Sequence, residues 1–343
     1  MNIKRRTINI FKDPIIWPIL ALAIILVINF FAIPGFFFIE IKNGRFYGSL
    51  IDILNRGTPL IIIALGMTLV IAKEGIDISV GAVLAIAGAS AIYMLDYFSV
   101  FVAIIFALLI GLVCGLWNGA LVAIFDIQPM VGTLILMTIG RGIAQLITNG
   151  QVTTTNNEVY AIIGKGYFLG FPVPLFIAIF ILAILIYLKK RTSLGLFLEA
   201  VGANKRASEF AGIQPKLIYF IVYGICSLCA AIAGLIISSN LNSADANNAG
   251  LWIELDAILA VVIGGTSMRG GRFYLVGTVV GALFIQTIST TIYSTGIPPQ
   301  TIMVIKAIVV IIVCLMQSEQ FRAMFQFRKA AVVKSNRKKA VEL

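Results

Sequence analysis

Ten apolar runs follow one another along this chain, and most approach the roughly 20 residues that a helix needs to cross a bilayer. The chain is 60% hydrophobic and only 12% charged. The runs lack the short alternating pattern of a membrane β-barrel. We therefore predict an all-α, multi-pass membrane protein of about ten helices, in which 1–343 form a single domain. The predicted spans are 15–33, 58–72, 80–95, 100–125, 130–148, 171–188, 217–238, 251–265, 273–292 and 301–316.

Basic residues are distributed unequally over the two sides of this ten-span topology. Of the 26 Lys and Arg residues, 20 fall on the side that holds both termini and four fall on the other side. Cytoplasmic segments of membrane proteins carry the excess of basic residues, so we expect cytoplasmic tails at 1–14 and 319–343. The basic clusters are interpreted as topology signals, and no nucleic-acid partner is expected. No small-residue cleavage site follows the basic start, so we expect the first helix to be retained.

The residues that the chain lacks exclude several kinds of chemistry. There is no histidine, and the sequence GxxxxGK[ST] of a phosphate-binding loop is absent. The four cysteines lie in apolar runs, where a buried structural thiol is the usual outcome. We therefore predict that this chain is not an enzyme and holds neither a cofactor nor a metal. If it pumps a solute, another subunit must supply the energy.

A polar segment, EAVGANKRASEFAGI at 199–213, interrupts the apolar runs. It predicts a short helix over 205–211, capped by Asn204 and ended by Gly212, which can adopt the left-handed conformation without strain. Gly202 and Gly212 are expected to act as flexible joints, and the small Ala207 leaves room for a partner surface. The charged residues that could pair with a partner are Glu199, Lys205, Arg206 and Glu209. The alternative is a solvated helix lying at the membrane surface.

Polar residues inside predicted spans are candidates for a solute path, because such residues are costly in lipid and face a cavity or a partner. The candidates are Asn118, Thr138, Arg141, Gln145 and Asp256. Thr138, Arg141 and Gln145 follow one another at one-turn intervals, and this stripe either lines a path or binds neighbouring helices. Asp256 either relays protons or satisfies nearby polar groups at the outer end of a short span.

The predicted outer loop 239–250 contains Asp245, Asn247 and Asn248. These residues either contact a docking protein or guard the entrance, or they cap the eighth span, since Asp and Asn favour caps. A second pattern, at 73–89 and 264–284, twice places a polar turn before a helix rich in small residues. It suggests a weak internal repeat, as transporters often show.

Four stretches, at 66–82, 115–148, 199–213 and 244–272, resemble the permease subunits of bacterial sugar ABC importers of the ribose, xylose and galactose type. The segment ADANNAGLWIELDAI is most similar to galactofuranose and fructose permeases. One departure is KEGIDIS, in which Lys73 and Glu74 are unusual for the family.

The resemblance implies a place in the bacterial inner membrane, surrounded by lipid, and a role in sugar import by alternating access. The implied partners are a cytoplasmic ATPase that binds ATP and Mg, a sugar-binding protein, and a second permease subunit, identical or sibling. The segment 199–213 would couple the ATPase to the spans. The competing hypotheses are a proton-coupled sugar carrier, a membrane scaffold, and a permease for another solute such as a branched-chain amino acid.

Overall fold

The computed structural model describes residues 15–296, 301, 304–308 and 311, and this part of the chain is mostly helical. Six of the helices are long and apolar enough to cross a membrane: α2, α4, α5, α7, α10 and α12. The helices are α1 Ile16–Ala32, α2 Ser49–Ala72, α3 Val80–Leu95, α4 Val100–Ala123, α5 Pro129–Ile147, α6 Glu158–Lys165, α7 Val173–Arg191, α8 Ser193–Ala203, α9 Lys205–Phe210, α10 Pro215–Leu241, α11 Ile253–Ile263 and α12 Leu275–Ser294.

Nine of the ten predicted spans coincide with a helix, although two have different lengths. The second span is longer than predicted, because α2 begins at Ser49 and includes the charged Asp52 and Arg56. The eighth span is shorter than predicted, because α11 has only 11 residues, and its crossing of the membrane stays a prediction. The predicted tenth span, 301–316, and both tails lie largely or wholly outside the described residues. The total of about ten spans and the cytoplasmic termini therefore stay predictions.

Some of the connections between helices, those predicted to be on the outer side, contain short strands. The expectation of an all-α chain therefore needs correction. Each sheet is an antiparallel pair. The pairs are β1 Glu40–Lys42 with β2 Arg45–Tyr47, β3 Thr153–Thr154 with β6 Ser243–Ala244, and β4 Tyr167–Phe168 with β5 Phe171–Pro172. The β3–β6 pair ties the connection after α5 to the connection after α10, with Thr153 opposite Ala244. Helix α6 lies in the same outer region.

Helices α2 and α10 form the centre of the molecule, and α10 packs against α2, α3 and α4. Small residues allow this packing: a Cβ at Gly115 of α4 would lie 2.6 Å from the carbonyl oxygen of Tyr223 in α10. Close backbone approach through glycine is how membrane helices associate. By contrast, α4, α5 and α7 expose apolar side chains such as Phe101 and Phe180. These faces suit lipid or a second membrane subunit.

The two segments of the suggested repeat each place a turn before a helix, α3 and α12. The two turns also meet in space, because a Cβ on Gly270 would lie 3.1 Å from the amide nitrogen of Glu74. The internal repeat itself stays a prediction.

Candidate coupling surface and solute path

Three backbone segments meet at the C-terminal end of α2, which the distribution of basic residues assigns to the cytoplasmic side. We call this contact the glycine junction and define it as Ala72, Gly202, Gly270 and Gly271. The amide of Gly271 donates a hydrogen bond to the carbonyl of Ala72 at 2.8 Å. A Cβ on Gly202 would overlap that same carbonyl oxygen, and a Cβ on Gly270 would lie 2.6 Å from the carbonyl oxygen of Gly202. The junction therefore joins α2, α8 and the turn before α12 through backbone atoms.

The predicted joint at Gly202 is wrong. Gly202 lies within α8 and is buried against backbone atoms of two other segments. It is a close-packing position, because no other residue lacks the Cβ that would collide there. The helix α8, which the sequence did not predict, continues the chain rigidly from the end of α7 to Asn204.

The predicted cap and terminator of the short helix are confirmed. Asn204 Oδ1 accepts a hydrogen bond from the amide of Ala207 at 3.0 Å. Gly212 has φ +83°, and its amide donates to the carbonyl of Glu209 at 3.0 Å. The helix ends at Phe210, one residue before the predicted end. Helix α9 is thus held at both ends, and Ala207 is exposed on it.

The charged residues of 199–213 divide into two groups. Glu199 pairs with Lys189 at 3.2 Å, and Lys205 pairs with Asp126 at 3.5 Å. Glu199 therefore links α8 to α7, and Lys205 links α9 to the turn after α4. Arg206 and Glu209 are exposed and form no ion pair with another described residue. They are the charges that this segment can offer to a partner.

Phe210 is a candidate functional residue that the sequence analysis missed. Its side chain is 94% exposed at the end of α9. A six-residue helix has no apolar periodicity, so its single phenylalanine gave no pattern to interpret. A fully exposed aromatic side chain on a braced helix is typical of an anchor for a protein partner.

Lys73, which is unusual for the family at this position, lies between the side chains of two tyrosines. Lys73 Nζ donates to the hydroxyl of Tyr223 at 3.1 Å and lies 4.3 Å and 4.2 Å from the ring centroids of Tyr219 and Tyr223. Burial lowers the pKa of Lys73 to about 7, although Asp77 acts in the opposite direction. Aromatic faces attract a cation electrostatically. The neighbouring Glu74 has φ +67°, a conformation that favours glycine.

We predict that Lys73→Met removes a pH dependence of stability. The folded state binds fewer protons than the unfolded state between the folded pKa of about 7 and the ordinary lysine pKa of 10.5. Stability should therefore rise with pH across this window. The melting temperature of the purified wild-type chain should rise from pH 7 to pH 10 relative to that of Lys73→Met. Lys42→Met, at an exposed ion pair, removes the same charge and should keep the wild-type slope. Equal slopes for Lys73→Met and the wild type would contradict the prediction.

Asn118 contacts the turn between α2 and α3. It is fully buried, and its Nδ2 donates to Ser79 Oγ at 2.9 Å and to Asp77 Oδ1 at 3.5 Å. The amide and hydroxyl of Ser79 also donate to Asp77 Oδ1, at 2.9 Å and 2.6 Å. These bonds supply partners for Asp77 Oδ1 and the Ser79 hydroxyl, whereas Asp77 Oδ2 and Asn118 Oδ1 are buried without a partner among the described residues. The path role of Asn118 stays a prediction.

The predicted stripe on α5 mainly binds a neighbouring segment. Arg141 Nη1 donates to the carbonyls of Ala246 and Ala249 at 3.2 Å and 2.6 Å. Gln145 Nε2 donates to Asn247 Oδ1 at 2.7 Å. Thr138 bonds within its own helix, to the carbonyl of Leu134 at 3.1 Å. Of the two alternatives, Arg141 and Gln145 thus support the binding of neighbours, and they hold 245–250 in place.

The outer segment 245–250 forms a turn that Asp245 stabilises. Asp245 Oδ1 accepts from the amides of Asn247 and Asn248 at 3.0 Å and 3.1 Å, and the Asn248 side chain donates to Oδ2 at 2.8 Å. The bond from the Asn248 side chain is the main reason that the pKa of Asp245 is lowered. Helix α11 begins after Trp252, which provides no side-chain cap. The alternative that these residues cap the eighth span is therefore wrong.

Asp256 pairs with a basic residue of the following apolar run. Its Oδ2 accepts from Lys306 Nζ at 2.7 Å, and both side chains are partly buried. This ion pair favours the structural interpretation of Asp256 over a proton relay, because the carboxylate already has a partner within the chain. Within the described ranges, no group of His, Cys, Asp and Glu residues could hold a metal ion.

Comparison with known proteins places the chain in a family. Residues 49–314 match the family described as the branched-chain amino acid transport system / permease component. The chain is 50% identical over 311 residues to the galactofuranose transporter permease protein of Escherichia coli, covering 89% of this chain and 91% of that relative. It is 43% identical over 282 residues to the fructose import permease protein of Bifidobacterium longum, covering 81% and 79%.

A ribose import permease protein of Haemophilus influenzae is 38% identical over 302 residues, covering 87% of this chain and 90% of that relative. No solved structure was found to match the chain. The matched region begins with α2 and includes the glycine junction, α9 and the outer segment 245–250. The chain therefore belongs to this family of permease components, and it is a multi-pass inner-membrane subunit of a bacterial ABC importer rather than an enzyme.

Proposed function

We propose that this chain carries a monosaccharide, galactofuranose or a related sugar such as fructose, into the cytoplasm by alternating access. The proposal is supported by the names of the relatives at 50% and 43% identity. The sugar would be delivered by a binding protein on the outer side. ATP and Mg would act on a separate cytoplasmic ATPase subunit. A second permease, identical or sibling, would complete the assembly.

Coupling is proposed to run from α9 through the glycine junction. The observation that carries this proposal is the 94% exposed Phe210 on a helix whose two ends are fixed. A displacement of α9 would be transmitted to α8 through Asn204. From α8 it would be transmitted to α2 and to the turn before α12 through the backbone contacts of Gly202. Arg206 and Glu209 would steer the association of the ATPase more than they add affinity.

The test is purification of the chain from its native membrane in mild detergent. We expect an ABC ATPase to co-purify, and we expect its ATP hydrolysis to rise when the binding protein and its sugar are added. Sugar uptake by the chain alone in proteoliposomes, driven by a proton gradient, would instead establish the proton-coupled carrier. If no ATPase co-purifies and the chain alone takes up no sugar, the scaffold hypothesis is favoured.

The outer segment 245–250 is proposed to contact the binding protein. Asn247 and Asn248 are exposed there, and Asn247 is held by Gln145. We predict that Asn247→Ala weakens binding-protein affinity several-fold, measured as the concentration that gives half-maximal ATPase stimulation. Asn157→Ala, which removes the cap of the outer helix α6, is the matched control and should have the wild-type value. An unchanged affinity in Asn247→Ala would remove this segment from the docking surface.

A further inference from the structure

A polar cavity of about 440 Å³ lies between α2, α10, α11 and α12. Its polar lining residues are Asp52, Asn55, Arg56, Asn240, Asp256 and Gln286. A second cavity of about 180 Å³ shares Asp52 and Arg56 and adds Tyr293. Both lie at the helix ends that the distribution of basic residues assigns to the outer side. Apolar residues of α2, α10 and α11 complete the walls of the larger cavity.

Several polar atoms in this cavity lack a protein partner. Asn55 Oδ1 is shielded from solvent and accepts no hydrogen bond from a described residue. The side chains of Asp52 and Arg56 make no hydrogen bond or ion pair with another described side chain. Asp52 and Arg56 are exposed at the cavity. Their carboxylate and guanidinium groups are therefore available to a ligand that both donates and accepts hydrogen bonds.

The charges of the lining select a neutral ligand. Asp256 is already neutralised by Lys306 at 2.7 Å. The remaining Asp52 and Arg56 balance each other, so neither an anion nor a cation gains a net attraction. A monosaccharide fits this lining, because each hydroxyl both donates and accepts, as carboxylate, amide and guanidinium groups require. The volume is also within the usual range of about 300–1,000 Å³ for small-molecule sites.

Tyr293 adds an apolar face to the polar set. Its side chain is 56% exposed and lines the smaller cavity beside Asp52 and Arg56. Aromatic rings present an apolar body with a polar tip, which suits a sugar ring whose faces carry C–H groups. The lining thus offers hydrogen-bonding groups and a flat apolar surface within one continuous region.

We propose that this cavity is an outward-facing monosaccharide site, an inference that rests on the proposed function. Two of its walls belong to helices that also reach the glycine junction: α2 ends at Ala72, and α12 follows the turn that contains Gly271. A movement of the junction would therefore change the spacing of the lining residues. This arrangement places a sugar site and the coupling segment at opposite ends of the same helices.

The first test measures ligand binding on the purified full chain with D-galactose and D-fructose as probes. We expect millimolar sugar to raise the melting temperature of the wild type by about 2–4 °C more than that of Asn55→Leu. Comparing variants cancels the general stabilisation that sugars exert as osmolytes. Asn55→Leu should itself melt at a higher temperature than the wild type without sugar, because it removes an unpartnered oxygen. Equal sugar-dependent shifts in both proteins would overturn the site.

The second test measures import in vesicles that contain the complete transporter with its ATPase and binding protein. Asn55→Leu and Asp52→Asn should lower the import rate at least tenfold while ATP hydrolysis stays stimulated by the loaded binding protein. Asp96→Asn, in an exposed turn outside the cavity, is the matched control and should import normally. Wild-type import rates in both cavity variants would overturn the site. No import of any sugar by the wild type, with the melting shift intact, would overturn the proposed function and leave the site standing.

Discussion

Replacing Phe210 with alanine is expected to weaken binding of the ATPase about 30-fold or more. Truncation of an aromatic anchor at the centre of a protein interface typically costs 2 kcal/mol or more, and about 1.4 kcal/mol corresponds to a tenfold change in affinity. Phe210 is 94% exposed on α9, so its removal opens no cavity in the core. The measurement is a titration of the purified permease with the ATPase that co-purifies with it.

The matched control for this experiment is Phe98→Ala. Phe98 is 56% exposed in the turn before α4, on the predicted outer side, and its truncation should leave ATPase affinity unchanged. A second variant, Ala207→Trp, adds bulk where α9 needs close approach, and it should also release the ATPase or uncouple hydrolysis from transport. If Phe210→Ala and Ala207→Trp both bind the ATPase and transport normally, α9 is only a surface helix.

Gly202→Val is expected to prevent assembly of the glycine junction. The new side chain would collide with the carbonyl oxygen of Ala72, and a backbone atom cannot rotate away as a side chain can. Overpacking of this kind costs about 1–3 kcal/mol, and occasionally more. We expect a lower melting temperature and a lower yield of monodisperse protein in detergent. In the fraction that folds, ATP hydrolysis should lose its dependence on the loaded binding protein.

Gly142→Ala provides the control for a glycine substitution in a helix. A Cβ at Gly142 meets no atom within 4 Å, and alanine stabilises a helix interior by about 0.5–1 kcal/mol relative to glycine. Its melting temperature should equal or exceed that of the wild type. A Gly202→Val protein as stable and as well coupled as the wild type would show that the junction relaxes without cost.

The sequence predicts the fold best where an apolar run is uninterrupted or where a helix has clear capping residues at its ends. The bounds 80–95 of α3 agree with the structure, as do the cap Asn204 and the terminator Gly212. The start of α2 was missed because hydropathy falls at Asp52 and Arg56, and these residues are tolerated inside the helix because they line a cavity. Helix α11 was overestimated because the chain before it, up to Trp252, folds as a turn within an apolar stretch.

The site could be predicted only in its local parts. A helix cap involves residues three or four positions apart, so the capping role of Asn204 could be predicted from the sequence. The partners of Arg141 and Asn118 lie 105 and 39 residues away along the chain, and no local pattern identifies them. The packing role of Gly202 also depends on a distant carbonyl. For these residues the type of side chain was informative, but the contact that gives it a role came from the fold.

The glycine junction also determines where this protein can tolerate the insertion or deletion of residues. Its contacts run from backbone to backbone, so one residue inserted into the turn 73–79 or the turn 264–274 would shift an amide or a carbonyl out of register. No side chain at the junction could adjust its rotamer to absorb that shift. The tip of the β1–β2 hairpin has no such restriction, because Asn43 and Gly44 are exposed and a Cβ at Gly44 meets no atom within 4 Å. Tags and epitopes therefore belong at this hairpin tip, whereas the turns 73–79 and 264–274 must keep their length.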